Sequence, residues 1–343
     1  MWAVDNQTPF AAVRNWATDL EGRDRWIVIV KGTFRIKADG SSEPEPEQAP
    51  PKMAPEHRGD PVKSSLRFDA DFVLSKPNTD VLLEGSAVAP GGREAPQVDV
   101  LMQVGPIKRI ARVFGDRTWK SSTFGVKMDE PKPFLKLPLV WERSFGGTDK
   151  IAENPKLHDW EARNPVGRGF AVRPEYLQGQ LAANIEDPSE FITSPKQRPK
   201  PMGFGPVDRI WMPRRKHAGT YDEKWEKERM PLYPKDFDIR FNQCAPEEQQ
   251  AKGYLRGGEP VELFNVSASG VLRFKLPSVD LEFKTRIGTE TVDHRADLYT
   301  VTLEPDVSRV SLVWHTSVPC HGPKKRKLDE TKITLKAPAG TGR

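Results

Sequence analysis

From about Gly146 to Pro234 the sequence carries glycines, prolines and tryptophans but almost no periodicity. This feature constrains the fold most. Structureless stretches of such length are uncommon in compact domains unless function or packing ties them down. Trp160, Trp211 and Trp225 lie within it, and large aromatic side chains bury much area and want fixed neighbours. The expectation is therefore a loop-rich region, 146–234, held against a scaffold. The scaffold must be largely non-helical, because 32 prolines in 343 residues leave little room for long helices.

The flanking blocks supply that scaffold. RWIVIVKGTFRI, Arg25 to Ile36, is rich in β-branched and aromatic residues and reads as a strand. SLRFDADFVL and DVLLEGSAV follow as strands, with a turn at Lys76 to Thr79. VDVLMQV and KRIARVF form a pair around Gly105-Pro106. FLKLPLVW alternates but contains Pro138, which demotes it to an edge or bulged strand. Beyond the irregular region, PVELFNV and VLRFKLP flank a short hairpin loop, Ser267 to Gly270. VDLEFKTRI, ADLYTVTLE and SRVSLVWH complete a run of strands spaced as in a sandwich or barrel.

One helix is marked by GTYDEKWEKERMP. Thr220 and Glu223 have capping-box spacing, Tyr221 and Trp225 share a face, and Pro231 ends it. A second short helix fits near Pro246 to Lys252. The fold class is thus mainly β: an antiparallel sandwich or barrel-like sheets, a long loop-rich central region, and one or two short helices. A single β-rich domain spans 1–321. Within it 39–60 is an acidic, proline-rich solvated loop or strap, and 322–343 is a basic, flexible tail.

Charge excludes several functions. The net +5 is small against 53 basic and 48 acidic residues, so the surface is mixed. The dense basic run is Lys324 to Lys327, which reads as a solvated segment rather than a nucleic-acid contact. No run of about 18 apolar residues suggests a membrane span, and the first residues lack signal-peptide character. Cys244 and Cys320 suit a reducing compartment, although two cysteines can pair. The expectation is a cytoplasmic protein without nucleic-acid or membrane partners.

Catalytic patterns are weak. WERSFGGTDK, Trp141 to Lys150, puts Ser144 near adjacent glycines but lacks the first glycine of a nucleophile elbow. His294, His315, Cys320 and His321 form the best histidine–cysteine group, without zinc-site spacing, and neither metal nor cofactor is expected. Gly167-Arg168-Gly169 and Gly203-Phe204-Gly205 lack the context of a nucleotide loop. Gly146-Gly147 can form an anion nest, but a tight turn with positive φ is the preferred reading. Glu186-Asp187 and Asp236-x-Asp238 can serve hydrolysis across a cleft. The competing and preferred reading pairs these acids with Arg143, Arg168, Arg214 and Arg240.

WERSFGGTD, NPVGRGF, NIEDP, MGFGPVDRIWMPR, AGTYDEKW and DFDIRFNQCAPEEQ occur in this order. Together they resemble an accessory family of type VI secretion clusters. The resemblance covers about Val4 to Val318 and departs at Leu181-Ala182-Ala183, where a proline is expected, and at Cys244, where a small neutral residue is expected. It implies a non-enzymatic adaptor or chaperone that stabilises a PAAR-like tip protein or type VI effector and helps load it onto the VgrG spike. Residues of the ordered motifs expected to be structural are Glu142, Arg143, Gly146, Gly147, Asp149, Gly167, Arg168, Gly169, Asn184, Glu186, Asp187, Asp236, Asp238 and Arg240. Trp211, Arg214, Tyr221 and Trp225 are the candidate partner anchors, against the alternative that they pack internally. A hydrolase using the central carboxylates, with Glu142, Glu186 or Asp236 converging on a cleft, and a carbohydrate- or peptidoglycan-binding β module are the competing functions.

Overall fold

The protein is described by a computed structural model covering residues 2–336, with Phe124 and His321 outside the described set. Among the described residues it is mainly β, with three short helices and several antiparallel sheets, none closed into a barrel. The central sheet runs in the order Ala11–Thr18, Asp24–Ile36, Arg309–Pro319, Asp297–Glu304 and Asp80–Leu83. Its last pair is parallel, with Thr300 opposite Asp80. Asp24–Ile36 is buried along nearly its whole length, because this sheet is covered on both faces. Trp26, Val28 and Val30 face the main core, whereas Ile27 and Ile29 meet Val313 on the other side. Alternation that is apolar at every position is what a doubly covered strand requires.

A five-stranded antiparallel sheet contains Ile185–Glu186, Ile107–Phe114, Gln97–Val104, Pro260–Phe264 and Val271–Lys275 in that order. Gln97–Val104 and Ile107–Phe114 alternate strictly between buried and exposed positions, so one face packs inward. The turn between them is Gly105-Pro106, with Gly105 at φ 52°. The inward residues Val100, Met102, Val261 and Leu263 meet Val81, Leu83, Val310 and Leu312 of the central sheet in one contiguous core.

Of the segment 322–343 expected to be a flexible tail, residues 323–335 form regular structure and 337–343 lie outside the described residues. Pro323–Lys327 is a helical turn, and Leu328–Leu335 is an inner strand of a four-stranded sheet. It lies between Ala3–Asn6, to which it is parallel, and Leu281–Ile287, to which it is antiparallel. Leu328, Thr331 and Ile333 turn inward, and the Trp26 indole donates to Thr331 Oγ1 at 2.8 Å. The basic residues of this stretch masked that inward set. Lys325 of the basic run pairs with Asp24 at 3.1 Å and lies over the Trp16 ring.

The acidic segment 39–60 is a strap. Ser42–Pro44 pairs with the end of Asp24–Ile36, and Gln48 clamps Thr33, accepting from its N–H at 2.7 Å and donating to its carbonyl at 2.9 Å. Lys76 to Thr79 bends the chain at Pro77-Asn78 as expected, with Lys76 and Thr79 buried on either side. The loop-rich region carries its own small cores. One joins Trp119, Phe145, Leu177 and Ile192; another joins Trp141, Val207 and Trp211. The helix Glu223–Glu228 starts two residues later than the capping-box expectation. Asp222 caps it, accepting from Trp225 N–H, while Thr220 is held by Asp236. The segment Pro246 to Lys252 holds only a 3-10 turn, Glu247–Gln249.

Two histidines in this scaffold link folding to pH. His315 stacks on Tyr299 and its Nε2 is 2.9 Å from the Val73 carbonyl; burial pushes its pKa down to about 3. His294 lies between Thr285 Oγ1 and Thr316 Oγ1, and burial lowers it to about 4. The unfolded chain takes up these protons first as pH falls below the free histidine value of about 6.5. Their contribution is thus intact above about pH 6.5 and is lost progressively toward pH 3. The urea midpoint is expected to fall between pH 6.5 and 4, with a shallower fall in His294→Gln. An unchanged slope in that variant counts against this assignment.

Candidate functional site

The motif residues assemble into a clasp that holds the loop-rich region against the five-stranded sheet. Trp141–Arg143 forms a 3-10 turn. Trp141 is buried edge-on to Trp211, with ring centroids 5.8 Å apart, and its indole donates to the Gly205 and Pro206 carbonyls. Glu142 accepts from Ser65 N–H at 2.7 Å and Ser65 Oγ at 2.9 Å. Arg143 donates to Asp116 at 3.2 Å and to Asn184 Oδ1 at 3.3 Å. Arg168 donates to the Glu142 carbonyl at 2.9 Å and to Asn184 Oδ1 at 3.2 Å. Asn184 in turn donates to Asp116 and to the Phe114 carbonyl. Burial works against the Asp116 charge, but the Asn184 N–H bond and the two guanidinium groups outweigh it and hold the carboxyl below its usual range. Arg168 is pushed down, chiefly by burial and then by Arg143.

Gly146 and Gly147 serve close approach. Gly146 has φ 148° and Gly147 φ 110°. A Cβ on Gly146 would overlap the Asn164 carbonyl oxygen, and one on Gly147 would lie 2.7 Å from the Gly167 oxygen. The Gly147 N–H is spent on the Asn164 carbonyl at 2.9 Å, so it is not free for an anion nest. Asn164, fully buried, donates to the carbonyls of Trp141 and Phe145. Phe145-Gly146 then pairs in parallel with Arg168-Gly169, where Gly169 has φ 88°. Asp149 is buried and accepts from the N–H groups of Ile151 and Val172.

The remaining acids are also occupied. Ser144 is buried and donates to the Met202 carbonyl rather than meeting a histidine. Glu186 is paired with Arg117 and accepts from Ile192 N–H at 2.8 Å. Burial nonetheless outweighs the arginine and raises its pKa. Asp187 caps Ser189. Asp236 accepts from Thr220. Asp238 holds Arg240 and lies 3.4 Å from His217; the Arg240 bond lowers it to about 2. Each carboxylate thus faces a donor of the fold rather than another carboxylate across open space. His294 and His315 are separately engaged as described, and His321 lies outside the described residues. Among the described residues no group of three or more potential ligands is placed to hold a metal. Both cysteines are free and buried.

The four candidate anchors divide. Trp211 and Arg214 are each 3% exposed. Trp211 packs on Trp141, and Arg214 donates to Asp69 at 2.8 Å and to the Val207 carbonyl at 2.8 Å. Neither offers a contact surface; their aromatic and cationic character closes the interior. Tyr221 is exposed, and Trp225 is half-buried beside it with its indole on the Leu232 carbonyl. Exposed apolar residues gather elsewhere. Thr148 is opposite Trp160, Asp149 draws Ile151 and Val172 together, and Met212 N–H donates to the Ala162 carbonyl. Ile151, Trp160, Val172 and Met212 are all exposed. Isolated apolar residues need no explanation on a surface, but a contiguous group marks an interaction site.

Beside the clasp lies a cleft of about 350 Å³. Its apolar wall includes Trp141, Val207, Met212 and Pro246, and its cations include Arg109, Lys200 and Lys216. A second depression of about 430 Å³ adjoins it, sharing Arg109, Lys200, Pro201 and Glu248. Arg109 is 6% exposed and donates to Glu248 at 2.7 Å. Lys200 also pairs with Glu248. Burial opposes the Glu248 charge, yet Lys200 and Arg109 hold its pKa down to about 2. The sequence contained a signal for this site. In IKRIARVF, Ile107, Ala111 and Val113 define the inward face, and Arg109 occupies the same face. A cation in an apolar register breaks the local pattern, and such breaks concentrate at functional sites.

No helix among the described residues is long and apolar enough to cross a membrane. A family model described as an uncharacterized protein conserved in bacteria, DUF2169, matches residues 21–315. No curated protein and no solved structure matches the chain.

Proposed function

The chain belongs to the DUF2169 family of proteins conserved in bacteria, and from that premise we propose that it is a non-enzymatic adaptor-chaperone of type VI secretion. It acts in the cytoplasm, covers an apolar surface of a PAAR-like protein or effector, and yields that partner to the VgrG spike. The resemblance of the ordered motifs to an accessory family of type VI secretion clusters supports this pathway. The observation that carries the mode of action is the division of labour within the loop-rich region. Its motif acids, arginines and serine are consumed in holding the fold, while Ile151, Trp160, Val172 and Met212 remain exposed. A scaffold that spends its polar groups internally and presents apolar ones outward suits binding rather than catalysis.

Co-expression with a PAAR-like protein tests this. The expected result is a stable complex on size exclusion and a higher soluble yield of the partner. Trp160→Ala is expected to weaken capture about tenfold, since exposed aromatics at an interface centre carry much of its energy. An unchanged partner yield together with no complex removes the adaptor reading.

A further inference from the structure

The two adjoining depressions continue one another across a shared lip, which gives the groove length as well as depth. Its charge leans basic: Lys108, Arg109, Lys200 and Lys216 line it together with the acids Asp187, Glu247 and Glu248. Arg163, Arg214 and Arg240 are neutralised from behind by Glu161, Asp69 and Asp238. Arg109 and Lys200 share the single carboxylate of Glu248. Lys216 has no ion pair among the described residues. Arg109 is almost wholly buried, lines both depressions, and its Nε has no hydrogen-bond partner. Its Nη1 donates to Glu248 and its Nη2 to the Met202 sulfur. Apolar surface around Ile110 and Met212, both exposed, flanks the cations on either side.

We propose that this groove receives an extended acidic segment of the partner protein, whose carboxylate takes the position that Glu248 holds on Arg109 and Lys200. The inference rests on the adaptor reading and adds the partner's chemistry to it. An extended chain advances about 3.3 Å per residue and turns alternate side chains to opposite sides. An acid at the lip, with apolar side chains on either side of it, therefore matches the groove. Glu248 stands in for the ligand in the free protein. It sits on the turn Glu247–Gln249, which is fixed because Gln249 donates to the Val81 and Phe204 carbonyls. Displacing Glu248 therefore needs only movement of its exposed side chain.

The test is fluorescence anisotropy with the full chain and a labelled ten-residue peptide alternating Leu and Asp. A peptide alternating Leu and Lys is the control. The acidic peptide is expected to bind saturably and the basic one not to bind. Glu248→Gln removes the internal competitor and is expected to tighten binding about three- to tenfold, whereas Lys200→Glu weakens it about tenfold or more. A merely structural Glu248 would give weaker or unchanged binding. Equal binding of both peptides, no binding of the acidic one, or indifference to both substitutions overturns the proposal. So does full displacement by millimolar inorganic phosphate at constant ionic strength, which would mark a small-anion site. The two readings fail separately. Peptide binding without capture of the PAAR-like protein keeps the groove and removes the named partner. Capture undiminished by Lys200→Glu keeps the adaptor and removes the groove.

Discussion

Asp80→Ala is expected to lower the unfolding free energy by about 3–5 kcal/mol, the usual cost of stripping one member from a buried ion pair. Lys76 and Asp80 have side chains only 3% and 0% exposed, and their charged atoms are 2.7 Å apart. Asp80 does more than neutralise Lys76. Its carboxylate also accepts from Gln243 Nε2 at 2.6 Å and from Cys244 N–H at 2.8 Å. Its backbone, opposite Thr300, sets the parallel edge of the central sheet. The residue therefore ties the exit of the loop-rich region to the scaffold. Alanine would leave an ammonium group and two donors buried without their acceptor. Urea unfolding followed by tryptophan fluorescence measures the loss. The double variant Lys76→Met/Asp80→Leu should recover much of it, because apolar replacement of a whole buried pair is often neutral. A loss below about 1 kcal/mol for Asp80→Ala would show that the pair is dispensable.

Gly146→Ala is expected to cost about 3 kcal/mol or more, combining positive-φ strain with overpacking. The new Cβ would overlap the Asn164 carbonyl oxygen and lie 2.9 Å from Asn164 Cβ. Asn164 cannot retreat easily, since it is fully buried and its side chain bonds two carbonyls. Gly179→Ala is the internal standard. It too has positive φ, 79°, but nothing lies within 4 Å of an added Cβ. It should cost only the conformational part, about 1 kcal/mol. Thermal melts give the difference, and limited proteolysis should show new cleavage between Gly146 and Phe170 in the first variant alone. Equal costs in the two variants would mean that the clasp is slack.

The scaffold was legible wherever side-chain alternation stated the face. Gly105-Pro106 and its two strands, the Ser267–Gly270 hairpin and Asp24–Ile36 all follow from local pattern. Leu328–Leu335 did not, because only Leu328, Thr331 and Ile333 turn inward among charged neighbours. The clasp was legible in its residues but not in its partners. Glu142 with Ser65, Arg117 with Glu186, and Arg214 with Asp69 join positions distant in sequence. No periodicity encodes such contacts. Arg214 and Trp211 show the same limit, since an arginine that anchors a partner and one that closes an interior have the same letters around them. Thr220 was a plausible cap, but Asp222 lies nearer the first turn and has the stronger acceptor.

The pairing of Asp24–Ile36 with Arg309–Pro319 sets the order of assembly. Trp26 bonds Thr331 across 305 positions of chain. The strand that organises the core therefore has one local neighbour, Ala11–Thr18, and one that is very distant in sequence, Arg309–Pro319. Contacts of such separation demand loop closure before they return any stabilisation, which makes folding slow. Until that distant contact forms, one edge of a strongly apolar strand stays uncovered, a condition that favours misassociation.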